Sequence, residues 1–250
     1  MSGHSKWSQI KRQKGAADVK RGATFSRLAN AVIIAAKNGG GNPDSNFSLK
    51  MAIDKAREGL MPKENIERAI KRGTGEMAGD VVEEALYEII APAGIGIIAE
   101  AVTDNKNRTT PEVKNVLQKF GAKLASTGAV AYHFNKMGKI LVDAAGKNAE
   151  EIELIAIDAG AEDFEEHGAD LAVYTKPNEL EQTKKALEET GLVVKEAALS
   201  WEPKDTIEIE DKNMADKILE LMQTLEELDA VTGVFANFDI KEDLIENTWH

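Results

Sequence analysis

An α+β protein of three domains is what this sequence predicts: an N-terminal three-helix domain followed by two α/β domains, the third, ferredoxin-like, inserted in the second. Three observations lead there. Apolar residues recur at helical spacing between Thr24 and Gly73, then switch to strand-like alternation after residue 78. Residues 139–200 read strand, helix, strand, strand, helix, strand, which is the split βαβ order. A last strand–helix–strand set after Pro203 has no sheet of its own and is expected to rejoin the one begun at residue 79. The expected boundaries are a flexible basic arm over 1–23, a helical domain over 24–77, a discontinuous α/β domain over 78–137 plus 202–242, and the inserted domain over 138–201.

Residues 1–23 hold Gly3, Gly15 and Gly22, no apolar stripe, and the cluster Lys6, Lys11, Arg12, Lys14, Lys20 and Arg21, a composition that cannot bury itself. Phe25, Leu28, Val32 and Ala35/Ala36 mark a helix starting near Thr24 as N-cap and ending at Gly39-Gly40-Gly41. A start at Ala16, with the first turns projecting, is the competing reading. NPDS at 42–45 supplies a turn and cap before a helix lined by Leu49, Ala52/Ile53, Ala56 and Leu60. Pro62 opens a third helix with Ile66, Ala69 and Ile70 on one face, stopped by Gly73.

ALYEII (85–90) and IGIIAEAV (95–102) read as strands joined by APAG at 91–94. In TDNKNRTTPEV, Thr109 as N-cap with Glu112 three residues on has the form of a capping box, with Pro111 inside the start. Val113, Val116, Leu117 and Phe120 are its buried face and Gly121 its end. AVAYHF (129–134) is expected as a further strand. After the inserted unit come a strand over 206–210, a helix over 214–229 and a strand GVFANFDI.

At 250 residues, 42% hydrophobic and 30% charged, the chain has the composition of a folded protein rather than a disordered one. No run approaches the roughly 18 apolar residues of a membrane span. The basic N-terminus lacks the apolar stretch of a secretory signal, so a cytoplasmic location is expected, with no membrane partner. The net charge of −12 conceals an asymmetry. Residues 1–75 carry 15 Lys/Arg against 6 Asp/Glu, net +9, and residues 76–250 carry 16 against 37, net −21.

With no cysteine, disulfides, thiolate nucleophiles and Cys-ligated zinc are excluded. His4, His133, His167 and His250 show no paired metal-ligand spacing, and no G-x-S-x-G elbow occurs. GGGNPD follows a helix and GTG (73–75) lacks the ending of a phosphate-cradling loop, so these glycines read as stops and turns. No catalytic residue, cofactor, metal or small-molecule substrate is therefore expected; an enzyme of unknown chemistry on the ferredoxin-like unit is the remote alternative. TDNKNRT (103–109) lies between a strand end and a helix N-terminus. There Asp104, Asn105 and Arg108 either form a second polar site that holds an anion or only shape the turn.

In the arm, Lys and Arg neutralise phosphates, and Trp7 either stacks on an unpaired base or is tucked against the body. GHSKW with AADVKRGATFSRL, MPKENIERAIKRGTGE (61–76), TDNKNRT, STGAVAY (126–132) and AIDAGAEDFEE (156–166) together resemble the YebC/PmpR family, in order, from residue 2 to residue 240. That resemblance implies a helical first domain and two α/β domains, the third inserted in the second. It implies a non-enzymatic, nucleic-acid-binding regulator of gene expression: members are described as DNA-binding transcriptional regulators, and mitochondrial relatives as translational activators of cytochrome c oxidase. Bacterial members are linked to ribosomes stalled on proline runs, which makes ribosomal or transfer RNA and the ribosome the alternative partners to DNA. Carried onto matching positions, it places contacts at His4, Lys6, Trp7, Lys11, Lys14, Lys20 and Arg21, with Arg68, Lys71 and Arg72 secondary, and weights Asp104, Asn105 and Arg108 towards function. Two departures stand out. YEIIAPAG at 87–94 replaces the family's usual YEGYGPGG, and IKRQK lacks a His between basics.

Overall fold

The computed structural model describes residues 7, 10, 21–77, 82–144, 149–167, 169–241 and 244, without the side chains of 21–24, 149 and 167. It is an α+β structure that divides into two compact units, one of residues 134–205 and one of the residues on either side of them.

The flanking unit begins with helices α1 (Arg21–Gly39), α2 (Phe47–Glu58) and α3 (Lys63–Gly73). Leu28, Val32, Ile33 and Ala36 of α1 meet Leu49, Ile53 and Ala56 of α2 and Ile66 and Ala69 of α3 in one core. Because α1 is already helical at Arg21, Thr24 lies inside it instead of capping it. Packing from Leu28 onward outweighs the local preference for a start at Thr24. The cap of α2 is Asn46, one residue past the NPDS turn. Its Oδ1 accepts from Leu49 N (3.0 Å) and its Nδ2 donates to the carbonyls of Ala35 and Gly40 (both 2.8 Å), so one side chain joins the end of α1 to the start of α2. Leu60, expected on the apolar face of α2, lies beyond its end at φ 59° and is 80% exposed. At Gly73 a Cβ would stand 2.4 Å from the Ile33 carbonyl oxygen, so α1 and α3 approach through a glycine.

The same unit holds strands β1 (Glu83–Ile90) and β2 (Gly96–Thr103), helix α4 (Lys106–Phe120) and the short β3 (Lys123–Leu124). β1 and β2 form an antiparallel hairpin, registered from Glu83↔Thr103 to Ile90↔Gly96. Residues 129–134 do not form the expected strand. They are a turn and a 3₁₀ turn over Ala131–His133, and only Phe134 opens a strand, one belonging to the other unit. The reason is Glu88, described below, which draws the backbone donors of this stretch away from any ladder.

The chain leaves after His133 and returns at Thr206. It then adds β8 (Ile207–Ile209), α7 (Lys212–Glu226), β9 (Val231–Ala236) and β10 (Phe238–Ile240). GVFANFDI is thus two strands broken at the buried Asn237, whose Oδ1 accepts from Gly96 N at 2.7 Å. β9 pairs with β2, giving the order β3-β1-β2-β9, while β10 runs parallel to β8 in a separate pair. Ile89, Ile97, Ala99 and Val234 of the sheet pack on Val113, Val116 and Leu117 of α4 and on Ile218, Leu221, Met222 and Leu225 of α7. On the other side Val82 and Val102 join the helical core, where Lys37 Nζ donates to the Val82 carbonyl at 2.8 Å. β2 is buried on both faces, so its sequence is an almost unbroken apolar run.

The unit of residues 134–205 runs β4 (Phe134–Asp143), α5 (Ala149–Asp158), β5 (Asp163–His167), β6 (Asp170–Thr175), α6 (Leu180–Glu189) and β7 (Val194–Pro203). Its sheet, ordered β5-β6-β4-β7 with every neighbouring pair antiparallel, is the ferredoxin-like arrangement. Among the described residues no helix is long and apolar enough to cross a membrane.

Candidate nucleic-acid interface

Of the contacts expected in the N-terminal arm, His4, Lys6, Lys11, Arg12, Lys14 and Lys20 lie outside the described residues, as does the side chain of Arg21. Trp7 is described, and of the two readings open for it, stacked on a base or tucked against the body, its position agrees with the second. It is 4% exposed, and its Nε1 donates to Glu226 Oε1 of α7 at 2.9 Å. Ile10 is buried beside it in the core around the β1–β2 sheet. The missed signal was the Trp7/Ile10 pair at i, i+3, one helical turn of apolar spacing inside a polar segment. An indole burying its ring while its N–H finds a carboxylate acts as an anchor.

On α3, Ile66 and Ala69 face the core and leave Arg68 and Lys71 exposed, with Arg72 half-buried. Lys71 and Arg72 sit in the last turn, where cations complement the helix dipole. Earlier on the same helix Lys63 pairs with Glu67 at 3.7 Å, both exposed. A carboxylate therefore stands in the outer face that a DNA-reading helix would present.

The polar stretch after β2 is tightly interlinked. Asn105, not Thr109, caps α4, its Oδ1 accepting from Arg108 N at 3.2 Å. Thr109 is buried inside the helix with its hydroxyl 2.8 Å from that of Thr103. Arg108 pairs with Asp104 at 2.8 Å and Lys106 with Glu83 at 2.8 Å. Lys106 holds the Glu83 carboxyl below the usual carboxylate range, by hydrogen bond first and by charge second. Asp104, Asn105 and Arg108 are thus together and engaged with one another.

A buried carboxylate that sequence reasoning missed organises the next loop. Glu88 of β1 is 4% exposed and accepts hydrogen bonds from Gly128 N (2.5 Å), Val130 N (2.6 Å) and Ala131 N (2.8 Å). Burial pushes its pKa up, but the three backbone N–H groups outweigh burial and hold it below the ordinary value. Gly128 supplies the left-handed conformation, φ 83°, that lets the loop fold around it. At the loop's end Tyr132 is exposed, with the His133 ring 3.8 Å away. Among the described residues no three His, Asp or Glu side chains gather to hold a metal ion.

Family models place this arrangement. The TACO1/YebC N-terminal domain matches residues 5–76, and the TACO1/YebC second and third domains match residues 82–238. The chain belongs to the TACO1/YebC family. Similar proteins include a "probable transcriptional regulatory protein" of Leptospira biflexa, 45% identical over 97% of this chain and 98% of its own length. Another of the same description, from Aquifex aeolicus, is 44% identical over 98% of this chain and 99% of its own. The crystal structure of a conserved hypothetical protein from Aquifex aeolicus superposes with a TM-score of 0.86 at 44% identity, covering 95% of this chain and 98% of that one.

For a TACO1/YebC protein the YEIIAPAG departure now has a physical description. Ala93 occupies a left-handed conformation, φ 61°, beside Gly94 at φ 78°. An alanine stands in the hairpin turn where glycine is the unstrained choice, and its left-handed backbone carries a cost in strain.

Proposed function

We propose that the chain is a non-enzymatic regulator of gene expression that binds nucleic acid through its basic N-terminal segment, with Arg68, Lys71 and Arg72 of α3 as secondary contacts. The observation that carries this reading is the partition of charge, net +9 over residues 1–75 against −21 over the rest. A segment so lopsided is suited to phosphate, and its neutralisation of phosphates releases counterions. Trp7 and Ile10, which lie within that segment, are buried in the core around the β1–β2 sheet. The acidic remainder repels phosphate and so restricts how nucleic acid can approach. Family membership and the relatives' shared description support a regulatory role, with DNA as one partner.

The Lys63–Glu67 pair favours a second reading, in which the partner is ribosomal or transfer RNA and the regulation is of translation. Glu67 sits on the outer face of α3, where a recognition helix would present donors to the major groove. Crosslinking in cells followed by sequencing of the bound nucleic acid separates the two. Discrete promoter peaks support transcription; ribosomal or transfer RNA without promoter enrichment supports translation. Recovery of neither DNA nor RNA above background overturns the nucleic-acid reading.

A further inference from the structure

Helix α5 of the ferredoxin-like unit is apolar on two opposite sides. Ile152 and Ala156 are buried, and α5 lies against β5 and α6. Leu154 stands two residues from each, which puts it about 160° around the helix from both. It is 64% exposed, and Ile157, its i, i+3 neighbour, is 53% exposed. A surface helix buries one stripe and turns polar residues outward, and a helix apolar all round is normally covered all round. The outer side of α5 is therefore a helix face with no cover among the described residues.

The charge around these two side chains says what would cover it. Residues 148–175 carry nine Asp/Glu and no Lys or Arg. On α5 itself Glu150, Glu151 and Asp158 are exposed. The two glutamates suit the helix N-terminus, but Asp158, i+4 from Leu154, ends the helix, where the macrodipole disfavours a carboxylate. An acidic rim around aliphatic side chains repels nucleic acid and anionic headgroups. It also disfavours a second copy docked through the same face, which would set carboxylate against carboxylate. It attracts a segment that brings apolar side chains together with Lys and Arg. A convex helix face packs such a segment as another helix, ridge into groove.

We propose that the outer face of α5, centred on Leu154 and Ile157, docks a basic amphipathic helix of another protein. This adds a protein partner to the nucleic-acid reading and does not rest on it.

Photocrosslinking in cells tests it, with p-benzoylphenylalanine in place of Leu154 in the full chain and, as a control, in place of Glu189, an exposed residue of α6. The first position is expected to crosslink to a Lys/Arg-rich segment with apolar residues at helical spacing, and the control is not. As a synthetic peptide, that segment should bind the wild-type chain in fluorescence anisotropy, more weakly as salt rises. Leu154→Ser with Ile157→Ser should weaken it at least about tenfold and leave thermal unfolding nearly unchanged. Crosslinks to a second copy of this chain, to nucleic acid or to an acidic segment overturn the proposal. So does a yield no higher than the control, a peptide whose affinity the two substitutions do not change, or a large loss of stability in the double variant. None of these outcomes bears on the N-terminal grip.

Discussion

Glu88 places a negative charge in the interior, which is stable only because Gly128, Val130 and Ala131 point their N–H groups at it. Hydrogen bonds to a charged group contribute about 1.5–3 kcal/mol each when a partner is removed. Glu88→Gln should therefore destabilise the chain by at least about 2 kcal/mol at neutral pH, as read by urea unfolding. The folded pKa of Glu88 lies below its unfolded value of about 4.3. Its stabilisation is thus complete above that value and is lost as pH falls through the folded pKa, so the gap between wild type and Glu88→Gln should close in acid. A gap that stays constant from pH 7 into acid would show that the carboxylate's charge is not what holds the loop. Ala93 presents the converse case. It is exposed and left-handed, so Ala93→Gly should remove strain of about 1 kcal/mol and raise the melting temperature by about 2–4 °C.

At the scale of elements, the N-terminal segment is the instructive one. Its lysines and glycines describe a chain that cannot bury itself, yet Trp7 and Ile10 lie in the core against α7. Trp7→Ala should cost about 3–5 kcal/mol in unfolding experiments, as for other buried large residues. If the loss is a few tenths, the ring is not an anchor and the stacking role returns. The i, i+3 spacing of Trp7 and Ile10 marks an apolar face but not what covers it, because Glu226, the partner of the Trp7 indole, is 219 positions away. The helices and central strands were legible because a 3.6-residue or two-residue period survives in the sequence. Helix starts were less so. Thr109 and Glu112 have the form of a capping box, but Thr109 is drawn inside α4 to meet the Thr103 hydroxyl, and Asn105 caps one turn earlier. Pro111 sits within α4 rather than near its first position. The strand expected over 129–134 failed for the same kind of reason, since a side chain from β1 captures its donors.

For the whole molecule, the ferredoxin-like unit was legible from element order alone, because βαββαβ has few compact antiparallel solutions. Charge was legible as well, since it needs no coordinates. The loop over 126–133 was not legible, because its scaffold is Glu88, one of three glutamates in β1 and the only buried one of the three. The central claim is an electrostatic grip by the basic N-terminal segment, and the dependence of nucleic-acid affinity on salt tests it most directly. With roughly six phosphates engaged, log affinity should fall against log salt with a slope of about −5. Replacing Lys6, Lys11, Lys14 and Lys20 with Gln should flatten that slope and abolish most binding, with thermal stability nearly unchanged. A slope near zero in the wild type, or unaltered binding in the substituted chain, would contradict the account.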